Sequence, residues 1–294
     1  MSRMYETLPD LATAASVLDD VDREKLYGTT MTDETSPLLS AKAYDEPSVF
    51  EPDNLLREAR RQRQRPDTEV PAVCLLDPDG DIVTHLHSIG AATIHPGWAC
   101  YHTTMHTFDL DGIEVGVVGF AVGSSFAVLV AEQLAASGCE LLISVTSSGS
   151  IVPAARPPYF VLIERALRDE GTSLHYLPPS TWVDGPVALI EQLDGAFGDV
   201  GQPVVTGSVW TTDAPYRETK GAIERAEGLG IAAVEMEAAA LYAYATARDR
   251  RVVCVAHVTN TMATDGDDFE KGEADGAHDA LAVVRAIIGR LGRA

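Results

Sequence analysis

The sequence predicts an α/β fold of three layers, in which helices cover both faces of a mostly parallel mixed sheet. Two observations predict it. Residues 71–76, 140–145 and 251–258 are largely apolar without alternation, as expected of strands that are buried on both faces. Segments of helical composition separate these runs, and such alternation of strand and helix is typical of a parallel sheet. Because ligands bind these sheets beyond the carboxyl ends of the strands, we expect the site in the polar loops there.

The elements expected from residue 70 onward follow in order. The Asp-Gly pair at 111–112 is the strongest hairpin signal in the chain. Strands are predicted at 71–76, 103–110, 113–120, 140–145, 203–211, 231–234 and 251–258. Helices are predicted at 81–86, 126–137, 186–197, 218–228, from 237 onward and at 279–291, with a loop at 146–150 and less regular chain at 153–179.

Residues 1–69 differ in composition from the main domain predicted at 70–294, and we interpret them as an N-terminal extension. Residues 1–45 are polar and lack a hydrophobic period, so they are expected to be irregular. Residues 54–65 predict a basic helix that stops at Pro66 and holds five of the 18 arginines. In an acidic protein such a helix is expected to pair with the body of its own or a neighbouring subunit.

The composition is that of an acidic globular protein. Of the 294 residues 46% are hydrophobic, and 44 acidic against 22 basic residues give a net charge of −22. Such a surface repels the phosphates of nucleic acids and anionic lipids, so we expect neither as a partner. The same composition fits adaptation to high salt and, equally, the arginine usage of a GC-rich genome.

Targeting signals and metal motifs are not recognisable in the sequence. No stretch resembles a signal peptide or a membrane span, so a cytoplasmic protein is expected. The acidic residues between Met262 and Gly276 lack the spacing of an EF-hand, and we predict no metal. The cysteines also lack metal spacing and are expected to be buried free thiols: Cys74, Cys100, Cys139 and Cys254.

Two carboxylates mark the joint between a short apolar strand and an alanine-rich helix. Glu235 and Glu237 flank Met236 at this joint. Acidic residues are favoured in the first turn of a helix, which is the simpler explanation. A pair of carboxylates beside a thioether would also suit a pocket for vicinal hydroxyls, because a carboxylate accepts two hydrogen bonds and sulfur packs against a sugar ring.

Residues 234–240, Val-Glu-Met-Glu-Ala-Ala-Ala, resemble the ribose-binding signature of the nucleoside phosphorylase superfamily, which includes uridine phosphorylases, purine nucleoside phosphorylases and nucleosidases. The resemblance implies that Glu237 holds the ribose 2′- and 3′-hydroxyls and that Met236 lies against the sugar, with Glu235 in the same binding site. It also implies a small-molecule nucleoside as substrate and a symmetric homo-oligomer, a dimer or hexamer with shared active sites.

Three further loops follow the order of this superfamily. Asp77-Pro78 stands where members carry a Gly-Asp-Pro turn, although Leu76 replaces the glycine. The glycine-rich turn 119–125, which includes Gly123, resembles the turn behind the ribose and the nucleophile. Residues 145–151 resemble the Gly-Thr-Thr-Gly-Ala-Ile loop, which implies that Ser147 replaces the threonine that touches phosphate and sugar.

The arginines that hold phosphate in uridine phosphorylases have no counterpart, since the matching positions hold Gly80, Ser144 and Tyr101. A buried phosphate needs cations because it carries close to two charges. Either the cation comes from the Arg57–Arg65 cluster or from histidines, or the nucleophile is water; the candidate histidines are His102 and His106.

A hydrolase needs a carboxylate to activate water. Asp77 and Asp79 are the candidates on the first loop, and position favours Asp77 as the catalytic base. Both also fit the role of an ordinary turn residue.

Recognition of the base is assigned to two segments. Residues 258–261 are closer to uridine phosphorylases than to purine-cleaving relatives, with Asn260 facing the base. In 210–219, Arg217 would bind a pyrimidine carbonyl and stabilise the leaving charge, or else lie on the surface. Tyr216 would stack on the base, or else be a core tyrosine.

The function predicted is therefore cleavage of the N-glycosidic bond of a nucleoside. Phosphorolysis is the default of the superfamily, with inorganic phosphate as co-substrate and no other cofactor, and the missing arginines favour hydrolysis. The alternative is a catalytically silent protein of the same fold that only binds nucleosides.

Overall fold

A computed structural model describes residues 42–261 and 269–292, and the part from Tyr44 onward forms one compact unit. Its strands are β1 Val73–Asp77, β2 Thr93–Ile94, β3 Met105–Leu110, β4 Ile113–Gly119, β5 Leu141–Ser150, β6 Tyr159–Asp169, β7 Trp182–Asp184, β8 Val204–Thr212, β9 Ala233–Glu235 and β10 Arg251–Asn260. Its α-helices are α1 Pro52–Arg63, α2 Asp81–Ser88, α3 Ser124–Ala136, α4 Val187–Gln192, α5 Lys220–Gly228, α6 Ala238–Arg248 and α7 Ala277–Leu291. The prediction of irregular structure for residues 1–45 lies, as far as residue 41, outside the described residues.

All ten described strands belong to one mixed sheet in the order β10-β6-β8-β9-β5-β1-β4-β3-β2, with β7 attached to β6. The two longest ladders, β5 with β10 and β6 with β8, are parallel. Because β10 also pairs with β5, the strands β5, β9, β8, β6 and β10 close into a ring. The predicted mixed α/β architecture is confirmed, and the closed ring is a feature that the sequence does not reveal.

Successive side chains of β1 point to opposite faces of the sheet. Val73 and Leu75 pack into a core with α2 and α7, whereas Cys74 and Leu76 pack into a second core with α3 and α6. Successive side chains of a strand point to opposite faces, so a strand with apolar residues at both sets of positions needs helices on both sides. The three predicted layers follow from this burial.

The hairpin between β3 and β4 turns at Asp111 and Gly112, as predicted. Their φ angles are 56° and 83°, so both central residues are left-handed, as in the type I′ turn that suits the twist of a hairpin. The amide of Gly112 donates to a carboxylate oxygen of Asp109 over 3.1 Å.

Three predicted elements are wrong. Residues 146–150 are not a loop, because β5 continues to Ser150 and its end pairs through the backbone with β9. The stretch 153–179 contains β6, whose charged residues hide the apolar pattern of a strand. The helix expected at 186–197 ends at Gln192, and the following chain turns through a left-handed Gly195.

The basic helix α1 packs against the body of its own chain. Leu56 and Ala59 are fully buried beside Ala99. Arg63 donates to the backbone carbonyls of Cys100 and Tyr101 over 2.8 and 3.1 Å. The helix is therefore held by its apolar face and by its arginines.

The four cysteines are free and buried, as predicted. Among the described residues, no helix combines the length and apolar character that crossing a membrane requires.

Candidate active site

Glu237 lies at the junction of β9 and α6 and is 1% exposed. One of its carboxylate oxygens accepts a hydrogen bond from the amide of Gly123 over 2.6 Å. The other accepts one from the hydroxyl of Thr146 over 2.8 Å. Three elements thus converge on this carboxylate: the start of α6, the turn before α3 and the middle of β5.

Glu235 has a different set of partners and caps α6. One carboxylate oxygen accepts from the amides of Glu237 and Ala238 over 2.7 and 2.8 Å. The other accepts a hydrogen bond from the hydroxyl of Thr211, whose oxygen accepts in turn from the amide of Ala239 over 3.0 Å. These contacts satisfy amides at the start of a helix that have no partner within it. Glu235 therefore fits the role of helix capping and holds the backbone of Glu237 in place.

Burial changes the protonation of both glutamates. It raises the pKa of Glu235 to about 7, and burial together with the charge of Glu235 raises the pKa of Glu237 to about 8. The hydrogen bonds that the carboxylates accept act in the opposite direction but do not offset burial.

Met236 and Gly123 complete this part of the site. The carbonyl of Met236 accepts a hydrogen bond from the hydroxyl of Ser124 over 2.7 Å, which ties the β9–α6 junction to α3. Gly123 has a φ of 93°, and a Cβ placed there would meet no other atom within 4 Å. The backbone beside Glu237 therefore borders open space, into which a ligand could fit.

Asp79 and Ser147 form a second cluster at the ends of β1 and β5. The two carboxylate oxygens of Asp79 accept hydrogen bonds from the amide and the hydroxyl of Ser147, each over 2.7 Å. Ser147 is partly buried in the second half of β5, directly after Thr146, which binds Glu237. Adjacent residues of one strand thus connect the two clusters.

Asp77 lies behind this loop and is 2% exposed. One of its carboxylate oxygens accepts from the amide of Val83 over 2.9 Å, in the first turn of α2. Burial raises the pKa of Asp77 to about 7. The contact with Val83 matches a residue that caps α2.

His257 was not expected from the sequence at this site. It lines a narrow cavity together with Asp77, Asp79 and Ser147 and is 5% exposed. Its ring stacks on Phe160 with centroids 4.4 Å apart, and burial lowers the pKa of His257 to about 4. The imidazole is therefore neutral near pH 7. A histidine within a largely apolar strand, with no acid beside it in sequence, gave no signal of this placement.

The charges around Asp79 are mostly negative. Lys271 binds Asp81 over 2.6 Å, and its ammonium group also lies in the field of Asp79 and Asp275. Lys271 is thus already paired with a carboxylate.

The basic side chains that are candidates to replace the missing phosphate-binding arginines make other contacts. Arg63 holds two backbone carbonyls, and Arg65 donates to the carbonyl of Pro96 over 3.3 Å. The Nε2 atom of His106 lies 2.7 Å from that of His87, and burial lowers the pKa of His106. His102 packs edge-on against Phe126 instead.

The resemblance in sequence matches three positions of this chain to phosphate-binding arginines, and the structure places them as follows. Ser144 is buried within β5, and Tyr101 donates its hydroxyl to Gln62 over 2.8 Å. Gly80 lies beneath the ring of Phe120.

The residues predicted to bind the base lie further apart. Tyr216 and Arg217 occupy a short 3₁₀ turn after β8; Tyr216 is 99% exposed, so the alternative of a core tyrosine is wrong. Arg217 is exposed as well. Asn260 ends β10, beside Gly149 of β5, and its side-chain amide donates to Thr259 over 3.2 Å. Asn260 is thus at the same edge of the sheet as Ser147, whereas Tyr216 and Arg217 stand on the surface.

Solved structures show the class of fold. Uridine phosphorylase from Vibrio fischeri aligns with a TM-score of 0.65 at 17% identity, over 77% of this chain and 95% of that one. Purine nucleoside phosphorylase from Toxoplasma gondii, in complex with immucillin-H, aligns with a TM-score of 0.65 at 16% identity, over 77% and 93%. A mixed sheet with buried carboxylates at its strand ends is thus built on the fold of nucleoside phosphorylases.

A family model described as the phosphorylase superfamily matches residues 79–289. The chain belongs to this superfamily. It is 27% identical over 200 residues to a uridine phosphorylase of Thermococcus kodakarensis, covering 62% of this chain and 70% of that protein. It is 31% identical over 127 residues to an uncharacterized protein of Acanthamoeba polyphaga mimivirus, covering 43% of this chain and about half, 49%, of that protein. It is 26% identical over 192 residues to a DeoD-type purine nucleoside phosphorylase of Bacillus subtilis, covering 63% and 81%.

Proposed function

We propose that this protein cleaves the N-glycosidic bond of a nucleoside with water as the nucleophile. The contact of Asp79 with Ser147 carries the proposal. By its resemblance to the superfamily, Ser147 stands where relatives contact phosphate. Here a carboxylate of the protein itself accepts both hydrogen bonds that the amide and hydroxyl of Ser147 can donate.

The local charge supports the same conclusion. Phosphate near neutral pH carries close to two negative charges, and its burial is favourable only beside bidentate or clustered cations. In the described chain, Asp79 has Asp81 and Asp275 in its surroundings, and Lys271 already binds Asp81. A phosphate dianion would be repelled there, whereas neutral water would not.

The proposed reaction divides the work between the two clusters. Glu237 binds the 2′- and 3′-hydroxyls of the ribose, and Met236 lies against the sugar. Asp79 accepts a proton from water while the oxygen of that water bonds to C1′. The C1′–N bond breaks, and its electron pair leaves with the base. We assign the base role to Asp79 instead of Asp77, because Asp77 is buried whereas Asp79 is partly exposed.

We propose that the base is recognised on the side of the ribose opposite the attacking water. Asn260, at the end of β10, can donate and accept hydrogen bonds to the base. Tyr216 and Arg217 would reach the base by closure of their turn, with Arg217 stabilising the charge on the leaving group. Both side chains are exposed to solvent.

Phosphorolysis is the second candidate. Relatives named uridine phosphorylase and purine nucleoside phosphorylase favour it. It would require Asp79 to release Ser147 and a cation to come from another subunit.

For the assembly we propose a homo-oligomer, a dimer or hexamer, and light scattering after gel filtration measures its mass. For the compartment we propose the cytoplasm.

The test is release of free base from a panel of purine and pyrimidine nucleosides, with and without phosphate. Release at equal rates in both buffers is expected of a hydrolase. Release only with phosphate would contradict the proposal and favour phosphorolysis. Retention of unchanged nucleoside throughout would indicate a silent binding protein.

A further inference from the structure

A small cavity lies between the end of α1 and the β2–β3 loop, residues 95–104. Its volume is about 200 Å³. The basic and hydroxyl side chains that line it include Arg63, Arg65, His95, His102, Thr103 and Thr104. None of the described residues that line it is acidic, although acidic residues outnumber basic ones by 44 to 22 in the chain. A cavity of this composition attracts anions.

The charges of Arg63 and Arg65 are not offset by a carboxylate of the described chain. Arg60 and Arg61, earlier in the sequence, pair with carboxylates over 3.3 and 2.8 Å. The hydrogen bonds that Arg63 and Arg65 make to described residues go instead to backbone carbonyls of the β2–β3 loop. A guanidinium group has more N–H donors than these contacts use. Both arginines therefore keep donors and a positive charge at the cavity.

The contacts with the loop also fix where the two guanidinium groups lie. Arg63 donates to the carbonyls of Cys100 and Tyr101, and its guanidinium carbon lies 4.6 Å from the centre of the Tyr101 ring. Arg65 donates to the carbonyl of Pro96 over 3.3 Å. An anion that binds between them meets groups that are already oriented, which lowers the cost of ordering side chains on binding.

His95 and Thr103 add uncharged partners. The Nε2 atom of His95 lies 3.1 Å from the carbonyl of Glu69, which can only accept, so Nε2 carries the proton. The Nδ1 atom is then an acceptor, and it is buried without a hydrogen-bond partner among the described residues. The hydroxyl of Thr103 accepts from the indole of Trp98 over 2.9 Å and keeps its own hydrogen to donate. The cavity thus offers cationic donors, a hydroxyl donor and a buried acceptor.

We propose that this cavity binds inorganic phosphate as hydrogenphosphate. The phosphate oxygens accept hydrogen bonds from Arg63, Arg65 and Thr103, and the phosphate hydroxyl donates to Nδ1 of His95. This inference goes beyond the proposed function and does not rest on it. In the sheet, β1 and β4 lie between β3, which borders the cavity, and β5, which carries Ser147. Three strand spacings amount to roughly 14 Å. Phosphate bound here ties α1 to the main domain and is not the nucleophile.

The experiment is a calorimetric titration of the dialysed full-length protein with inorganic phosphate, in chloride buffer without nucleoside. Saturable binding is expected. Arg65→Gln should weaken it by about tenfold or more, because a charged donor to the anion is lost. Arg61→Gln is the matched control. It removes the same charge from an exposed position of α1 outside the cavity, where Arg61 pairs with Glu58, and should leave phosphate binding unchanged.

Sulfate tests the role assigned to His95. It carries the same charge as hydrogenphosphate but has no hydroxyl to donate, so it should bind more weakly than phosphate. A phosphate monoester such as glycerol 3-phosphate lacks that hydroxyl on its phosphorus as well and should bind no better than sulfate. If either anion binds as tightly as phosphate, the assignment of hydrogenphosphate is wrong.

Ser147→Ala separates this site from the proposed reaction. Phosphate binding should be unchanged in this variant. If Ser147→Ala loses phosphate and Arg65→Gln keeps it, phosphate binds at Ser147, and both this inference and the proposed hydrolysis fail. If both variants lose it, the anion lies in a site composed by two subunits, which also overturns the inference. If wild type shows no saturable binding, the inference fails while the proposed hydrolysis stands.

Discussion

The carboxylate of Asp79 is bound to Ser147 by two hydrogen bonds of 2.7 Å, one from the amide and one from the hydroxyl. A carboxylate and a phosphate both accept hydrogen bonds from such a pair of donors, and they carry charge of the same sign. Under the proposed function, the carboxylate of Asp79 would take the place of phosphate at Ser147 and would also activate water.

Replacement of Asp79 by Asn should remove the proposed base while keeping a hydrogen-bond acceptor for Ser147. We expect nucleoside binding to persist and the rate of base release to fall by roughly 10²–10⁴-fold, the usual contribution of general base catalysis. Single-turnover base release and nucleoside binding by calorimetry measure the two quantities separately.

Asp77→Asn is the matched comparison for this variant. Asparagine can still accept the hydrogen bond from the amide of Val83, so base release should remain close to that of wild type. If instead Asp77→Asn lost activity and Asp79→Asn kept it, the two roles would be reversed.

Glu237→Gln should weaken the hold on the ribose. Above about pH 8, where Glu237 is ionised in the folded protein, an uncharged amide replaces a carboxylate that lies between Gly123 and Thr146, and the loss of a charged hydrogen-bond partner costs about 2 kcal/mol or more of transition-state binding. The measurement is kcat/KM for base release. Glu224→Gln, at a largely exposed position of α5, is the control for the same chemical change. Unaltered kinetics in Glu237→Gln would remove this residue from the site.

Stability should depend on pH through the buried glutamate. The pKa of Glu237 is about 8 in the folded protein, against an ordinary value of 4.5, so the folded state keeps a proton that the unfolded state loses. Its contribution to the free energy of unfolding is therefore full below about pH 4.5 and is lost as the pH rises through about 8.

The Glu237→Gln variant has no such proton to lose. We expect the free energy of unfolding of wild type to fall relative to this variant as the pH rises across that window. Urea denaturation of both proteins over a pH series measures the difference. A difference that stays constant with pH would show that burial does not raise the pKa of Glu237.

Thr211→Val should destabilise the start of α6. Thr211 is fully buried, and its hydroxyl joins the carboxylate of Glu235 to the amide of Ala239. Loss of these bonds leaves buried polar groups without a partner and should cost about 1–3 kcal/mol in the free energy of unfolding. Thr206→Val changes an exposed threonine of the same strand and should stay within about 0.5 kcal/mol of wild type. Equal stability of the two variants would contradict the capping role.

Local patterns predicted much of the fold. The Asp-Gly turn, the apolar runs of β1 and β10 and the alanine-rich α6 follow from turn chemistry, burial and helix propensity. The sequence does not predict the strand β6, because charged residues interrupt its apolar run. In the structure this strand pairs with both β8 and β10. The polar end of β5 has the composition of a loop, and its hydrogen bonds come from strands distant in sequence.

The site was predicted unevenly for a related reason. Glu235 and Glu237 are only two residues apart in sequence, so the sequence alone reveals the joint between β9 and α6. The choice between Asp77 and Asp79 depends on which carboxylate is buried, and two residues in one turn give no sign of that. His257 and Thr211 reach the site only through pairing of distant strands, which single-sequence patterns do not contain.

The most direct test of the account is the chemical identity of the sugar product. Dialysed enzyme is incubated with a cleavable nucleoside and inorganic phosphate, and the products are followed by ³¹P NMR and sugar analysis. The account predicts free ribose, formed at the same rate without phosphate, and no new phosphorus signal. Appearance of ribose 1-phosphate, with release that stops when phosphate is removed, would contradict it.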